Sequence, residues 1–230
     1  MKAKTILSTF RFWFTFLFKK LFTKKRFVYV ALGDSTVEGV GASTPSKSFS
    51  FLVHTAIKQR NKHAKYYNFG KSGAKALDVL NLQVEKAIKL QPDLIVISMG
   101  FNDVVGKTKI ADFKNNLSKV IKELSTKTHG LVVINTIPDI SLARIPFYKK
   151  LYGKMMIKKF NQEIKYQVQN SKALLVDLHS HSLVLKGYKE LVSDDGLHPS
   201  DLGHAIWGNT IISHIWNALF SVGKLSQAVQ

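Results

Sequence analysis

The stretch "FVYVALGDS", residues 27–35, is an uninterrupted apolar run that stops at a glycine and hands over directly to a carboxylate and a hydroxyl. Its Val, Tyr and Phe residues favour extended backbone, because branched and aromatic side chains pack well on a pleated surface. Four further runs of this kind follow: "KYYNFG" (65–70), "DLIVISMG" (93–100), "LVVINTIP" (131–138) and "ALLVDL" (173–178). Between them, segments at about 48–60, 77–90, 111–126 and 148–170 carry apolar residues at helical spacing, and a fifth follows at 200–220. Strand and helix alternate five times, which implies a parallel sheet with helices on both faces. Right-handed crossovers then make it a doubly wound, three-layer α/β/α sandwich with a five-stranded sheet. In such folds ligands bind beyond the carboxyl ends of the strands. Chemistry is therefore to be sought where strands run into loops.

Composition sets the outer limits. The chain has 230 residues, 45% of them hydrophobic, with 14 Gly and 5 Pro, enough for one domain with a sizeable core. It has no cysteine, which excludes disulfides, thiol catalysis and thiolate-bound zinc. The formal net charge of +19 favours anionic partners and bears on association, not on fold. Eight Lys or Arg and no acid fall in residues 1–26 alone, and a second basic segment, 149–170, has six lysines against Glu163.

Residues 1–26 stand apart from the α/β pattern, and one α/β domain is expected over 27–230. Arg11 interrupts the apolar run and no small-residue cleavage site follows it, so a secretory signal fits poorly. As a membrane span, eight or nine apolar residues at about −0.3 to −0.6 kcal/mol each only offset the penalty of roughly 3 kcal/mol for a central Arg. As a helix, Ile6, Leu7, Phe10, Trp13, Phe14, Leu17, Phe18, Leu21 and Phe22 share one face. With Lys19, Lys20 and the basic run behind it, this segment is expected to attach the protein to an anionic membrane surface through residues 5–26. The bland alternative is a helix docked on its own domain or on a protein partner.

Three strand ends carry polar residues that a core does not require. "GDS" (Gly33, Asp34, Ser35) places a hydroxyl at a glycine-relieved turn; "NFGKSG" (68–73) supplies two glycines; "GFND" (100–103) supplies an asparagine amide. Near the C-terminus, "SDDGLHPSDLGH" (193–204) repeats one spacing, Asp195 with His198 and Asp201 with His204. Pro199 biases His198 away from helical geometry and Gly196 permits a turn, so the first pair sits on a loop. The second pair begins the last helix and reads as a local i, i+3 contact.

Taken in this order, "GDS", "NFGKSG", "GFND" and "DGLH" resemble the SGNH subgroup of the GDSL-type serine hydrolases, over about residues 27–220. Thr36 stands where the GDSL pattern has Leu. The resemblance implies a flavodoxin-like sandwich in which Ser35 is the nucleophile, His198 the general base and Asp195 the group that orients it. It also implies an oxyanion hole formed by the Ser35 amide, the Gly73 amide and the Asn102 side chain, with Gly70 the weaker substitute for Gly73. The physical logic agrees, since a serine hydroxyl needs an imidazole to take its proton and the imidazole needs a carboxylate to hold its tautomer. Asp34 reads as a structural turn residue, and Asp194 is offset from the family block.

The implied activity is serine-dependent hydrolysis of an ester through an acyl-enzyme, without cofactor or metal: a lipid acyl ester, lysophospholipid, thioester or acetyl ester. The basic aromatic N-terminus tilts the choice toward lipid. The rival is a non-catalytic lipid-binding protein on the same fold. A nucleic-acid role rests on charge alone, so no specific nucleic-acid partner is expected. Asp177, His179 and His181 in "DLHSH" hint at a metal site but read better as a solvated loop. Tyr148, Tyr152, Met155, Phe160 and Ile164 read as the apolar face of a basic amphipathic helix. "TIPDISLARIPF" (136–147) follows the fourth strand and is the expected lining of the substrate site.

Overall fold

A computed structural model describes residues 26–227. The proposed N-terminal helix, with Arg11 and its apolar face, lies outside the described residues. Five parallel strands form one sheet in the order β2-β1-β3-β4-β5. They are β1 (Phe27–Gly33), β2 (Ala64–Asn68), β3 (Leu94–Ser98), β4 (Leu131–Asn135) and β5 (Leu174–Val176). The order reverses between β1 and β3, the switch point at which doubly wound sheets open a crevice.

All seven residues of β1 are buried, so both its faces are covered. Alternation along the strand sorts the core into two layers. Val28, Val30 and Leu32 pack on one side with α3 (Val84–Leu90), α5 (Ile110–Lys127) and α6 (Phe147–Gln169). Phe27, Tyr29 and Ala31 pack on the other with α2 (Phe49–Lys58) and the last helix, α8 (Asp201–Gln227). The expected three-layer sandwich with a five-stranded parallel sheet is the observed architecture.

Two details depart from expectation. The stretch "DLHSH" is not a solvated loop: Asp177 caps helix α7 (Leu178–Val184) by accepting from the Ser180 amide, which satisfies an orphan donor of the first turn. The second expected helical segment, 77–90, carries a π-helical turn, Val79–Gln83, just before α3. A π turn swings a side chain out of its α-helical register, and here it buries Gln83.

Candidate active site

β1 ends in a turn that only glycine can make. Gly33 has φ +147°, and a Cβ there would lie 1.9 Å from the Ser98 carbonyl of β3. Gln83 holds this glycine from below: its Oε1 accepts from the Gly33 amide at 2.8 Å and its Nε2 donates to the Gly33 carbonyl at 2.9 Å. The Lys71 amide adds a second donor to that carbonyl at 3.1 Å.

Asp34 then caps α1 (Ser35–Glu38). Its Oδ1 accepts from the Thr36 amide at 3.0 Å and from the Thr36 hydroxyl at 2.8 Å. Thr36, in place of leucine, thus adds a second donor to the cap. Burial pushes the Asp34 carboxyl up to about 6, although the Thr36 hydrogen bonds and the nearby His198 pull the other way. Ser35, the first residue of α1, is 9% exposed and lines a pocket.

His198 approaches from a closed loop. Residues Val192 and Pro199 form an antiparallel bridge, and the Ser193 amide donates to the His198 carbonyl at 2.9 Å. Inside this loop Asp195 Oδ1 accepts from the amides of Leu197 at 2.8 Å and His198 at 3.0 Å, and from the Ser193 hydroxyl at 2.8 Å. Its other oxygen lies 2.5 Å from His198 Nδ1. Partial burial raises the Asp195 carboxyl, but these donors outweigh it and hold the group well below the usual carboxylate range. With Nδ1–H directed at a carboxylate, Nε2 is left as an acceptor. Ser35 Oγ lies 2.9 Å from that nitrogen.

Arg144 straps the loop from outside. Its guanidinium donates to the carbonyls of Ser193 at 2.8 Å and Asp194 at 2.5 Å, and its amide donates to the Gly196 carbonyl. Gly196, at φ +79°, packs under this side chain where a Cβ would lie 2.8 Å from Arg144 Cβ. Asp194 thus contributes a main-chain carbonyl to the strap, while Asp195 faces the imidazole.

The two glycines of "NFGKSG" separate cleanly. A Cβ on Gly70 would run into the backbone of Val37 and Glu38 at 2.4–2.8 Å, so Gly70 packs against α1. At Gly73 nothing lies within 4 Å of that position. The turn is anchored on both sides: Glu38 Oε2 accepts from the Ser72 amide and hydroxyl, and Asn102 Nδ2 donates to the Ala74 carbonyl at 3.1 Å. Asn102 lies in α4 (Phe101–Val105), directly after β3. Ser35, Gly73 and Asn102 therefore follow the carboxyl ends of three adjacent strands, β1, β2 and β3.

The second D-x-x-H pair is not a pair. Asp201 binds the Ser43 amide and hydroxyl and Lys47, at 2.7–2.8 Å. His204 is fully buried, accepting from the Phe49 amide at 3.2 Å and donating to the Val40 carbonyl at 3.1 Å. Both residues tie the segment after α1 to α8, because each finds main-chain partners there that an i, i+3 contact would not satisfy. The Asp177 carboxylate is likewise engaged, by Thr136, Lys165 and Ser180.

The pocket beside Ser35 and His198 is mostly apolar, with Met99, Ile137, Leu142, Leu185, Ile206 and Trp207 among its lining. Its empty volume is about 980 Å³ counting the open mouth. Ile137, Ile140, Leu142 and Ala143 come from the segment after β4 that the sequence singles out.

The sequence profile of the GDSL-like lipase/acylhydrolase family matches residues 31–206. This chain belongs to that family. Membership in this family of lipases and acylhydrolases makes it an ester-hydrolysing enzyme in general terms. A lipase/acylhydrolase from Enterococcus faecalis superposes with a TM-score of 0.69 at 24% identity, over 82% of this chain and 95% of its own. An acetylxylan esterase from Geobacillus stearothermophilus gives 0.67 at 19% identity, over 84% and 96%. A lipolytic G-D-S-L protein from Veillonella parvula gives 0.67 at 16%, over 81% and 97%. At these identities the likeness is one of fold. No curated protein sequence matches the chain.

Sequence reasoning missed two residues that hold this GDSL site. Gln83 carries no spacing signal, since a π turn is not visible in helical periodicity. Arg144 does leave a trace: it is the sole arginine after Arg60 in a chain dominated by lysine, and its Nη2 serves both carbonyls.

Proposed function

We propose that this enzyme hydrolyses aliphatic acyl esters through an acyl-serine intermediate. The observation that carries the reading is the unbroken chain from Ser35 Oγ to His198 Nε2, 2.9 Å, and from His198 Nδ1 to Asp195, 2.5 Å. Ser35 Oγ attacks the acyl carbon and its proton passes to His198 Nε2, while Asp195 stabilises the imidazolium. The tetrahedral oxyanion is held by the Ser35 and Gly73 amides and by the Asn102 hydrogen not given to Ala74. Collapse expels the alcohol, which takes its proton from His198. Water, deprotonated by the same imidazole, then releases the acid and restores Ser35.

The apolar pocket supports an aliphatic acyl group over an acetyl group, since an acetyl methyl would leave most of that lining wet. Attachment to an anionic membrane surface through residues 5–26 would bring the enzyme to lipid esters. The competing reading, a lipid binder without catalysis, has in its favour only the pocket and gives no use to a hydroxyl, an imidazole and a carboxylate in line.

Ser35→Ala, assayed on soluble esters of graded acyl length, is expected to lower kcat by on the order of 10⁴-fold or more. Wild type should label with a fluorophosphonate and the variant should not. Hydrolysis retained by a folded Ser35→Ala protein refutes the mechanism, and an unlabelled, inactive wild type favours the lipid binder.

A further inference from the structure

Helix α6 carries apolar residues on two opposite sides. Its packed side is Gly153, Ile157, Phe160, Asn161, Ile164 and Val168, not the Tyr148, Tyr152 and Met155 expected from the sequence. Those three, with Phe147 and Leu151, point away from the domain; Phe147 is 78% exposed and Leu151 62%. At about 100° per residue the five occupy an arc of roughly 140° centred opposite the packed side. Among the described residues nothing covers them, because they face away from the core. Twenty-three helical residues span about 35 Å, whereas a five-residue strand such as β4 spans about 17 Å. No residue of α6 before Gly153 is buried, so its first turns, at the end to which β4 delivers the chain, stand clear of the core.

That end belongs to the pocket. The segment 137–143 that walls the pocket leads through Arg144 into α6. Leu185 also lines the pocket, while Val184 and Tyr188 near it in the chain are exposed. Lysines are interleaved with the stripe: residues 141–162 contain Arg144 and five lysines and no acid.

Charge decides what such a surface can meet. Residues 1–26 carry eight basic residues and no acid, so they are a poor cover for this stripe, and so is a second copy of a chain of net charge +19. An exposed aromatic and aliphatic stripe flanked by lysines fits an anionic bilayer, where the rings enter the headgroup boundary and the ammonium groups meet lipid phosphates. We infer that the first half of α6 is a second membrane contact, within the catalytic domain, that seats the pocket mouth on an anionic lipid surface. It deepens the reading of the pocket as an acyl site, because the exposed stripe and the pocket wall are one continuous piece of chain.

The absence of cysteine makes the test clean. In the full chain, Leu151→Cys carries an environment-sensitive fluorophore, and Lys86→Cys, exposed on α3, is the control. Vesicles of phosphatidylcholine with about one third phosphatidylglycerol are expected to blue-shift the Leu151 probe and expose it to a lipid-borne quencher, leaving the Lys86 probe unchanged. Lys158→Gln with Lys159→Gln should raise the lipid concentration for half-maximal shift about 30-fold, from about fivefold per lysine. The inference is overturned by a silent Leu151 probe while the chain co-sediments with vesicles, which leaves residues 1–26 as the contact, or by no co-sedimentation. It is equally overturned if the probe answers a single-stranded oligonucleotide and not vesicles. Hydrolysis of a soluble short-chain ester in the same samples reports separately on the active-site reading, since neither Leu151 nor these lysines touch the pocket.

Discussion

Asp34→Asn tests the electrostatics of the turn between β1 and Ser35 through stability. Burial pushes the Asp34 carboxyl from 3.8 up to about 6. Between those values the folded state binds more protons than the unfolded state, so the stability gradient is negative and stability falls as pH rises. The favourable contribution is complete below the unfolded value and gone above the folded one. At 1.36 kcal/mol per pH unit the full span is about 3 kcal/mol, of which about 2 kcal/mol falls between pH 4.5 and 7.5. Asparagine keeps a cap acceptor for Thr36 and has no charge to desolvate. Urea denaturation of both proteins across that range should therefore show the variant gaining about 2 kcal/mol on wild type as pH rises. Carboxylates with depressed values, Asp195, Asp177 and Asp201, slope the other way in both proteins and cancel in the difference. A difference that stays flat with pH refutes the claim that Asp34 is a buried carboxyl in tension with its ionised form.

Asn102→Ala should lower kcat about 10²- to 10³-fold, with a smaller change in KM, if its amide meets the oxyanion; steady-state kinetics on a short ester decide, and an unchanged kcat removes it from that role. His204→Ala leaves the Phe49 amide and the Val40 carbonyl without partners inside the protein, at a cost of about 2–4 kcal/mol. Calorimetry should show the melting temperature lower by roughly 5–15 °C with kcat per folded molecule little changed. Arg144→Ala removes the two-carbonyl strap, and should lower kcat about 10- to 150-fold, the worth of one hydrogen bond to a charged donor; wild-type kinetics would show that the loop holds His198 without it.

The parts of this molecule legible in the sequence are those written as local patterns. β1 could be placed because an apolar run broken by Gly33 is a one-dimensional signal, and the layer order followed from alternation of strands and helices. Asp195 and His198 could be placed because Gly196 and Pro199 mark a loop. The misreadings share a cause: each depended on what a side chain meets far along the chain. His204 finds its partners at Val40 and Phe49, not at Asp201. Asp177 read as part of a solvated loop and is a helix cap held by Lys165. On α6, periodicity could not tell the packed face from the bare one, because both are apolar and only the core that Ile157, Phe160 and Ile164 meet decides which is covered.

The same distinction explains how Ser35 and His198 are held. Ser35 sits at a turn that Gly33 makes possible but does not make rigid, since a glycine gains its permissiveness at the expense of conformational entropy. Rigidity comes from Gln83, which bonds both polar groups of the Gly33 peptide, and from Asp34 capping the helix that follows. His198 sits on a loop made turnable by Gly196 and is fixed by Asp195 from within and Arg144 from without. In both cases the glycine is visible in the sequence and its restraint is not. A 2.9 Å approach between Ser35 and His198 across 163 residues of chain depends on the restraints, so activity should be more sensitive to Arg144 than the short G-D-S and D-x-x-H blocks alone would indicate.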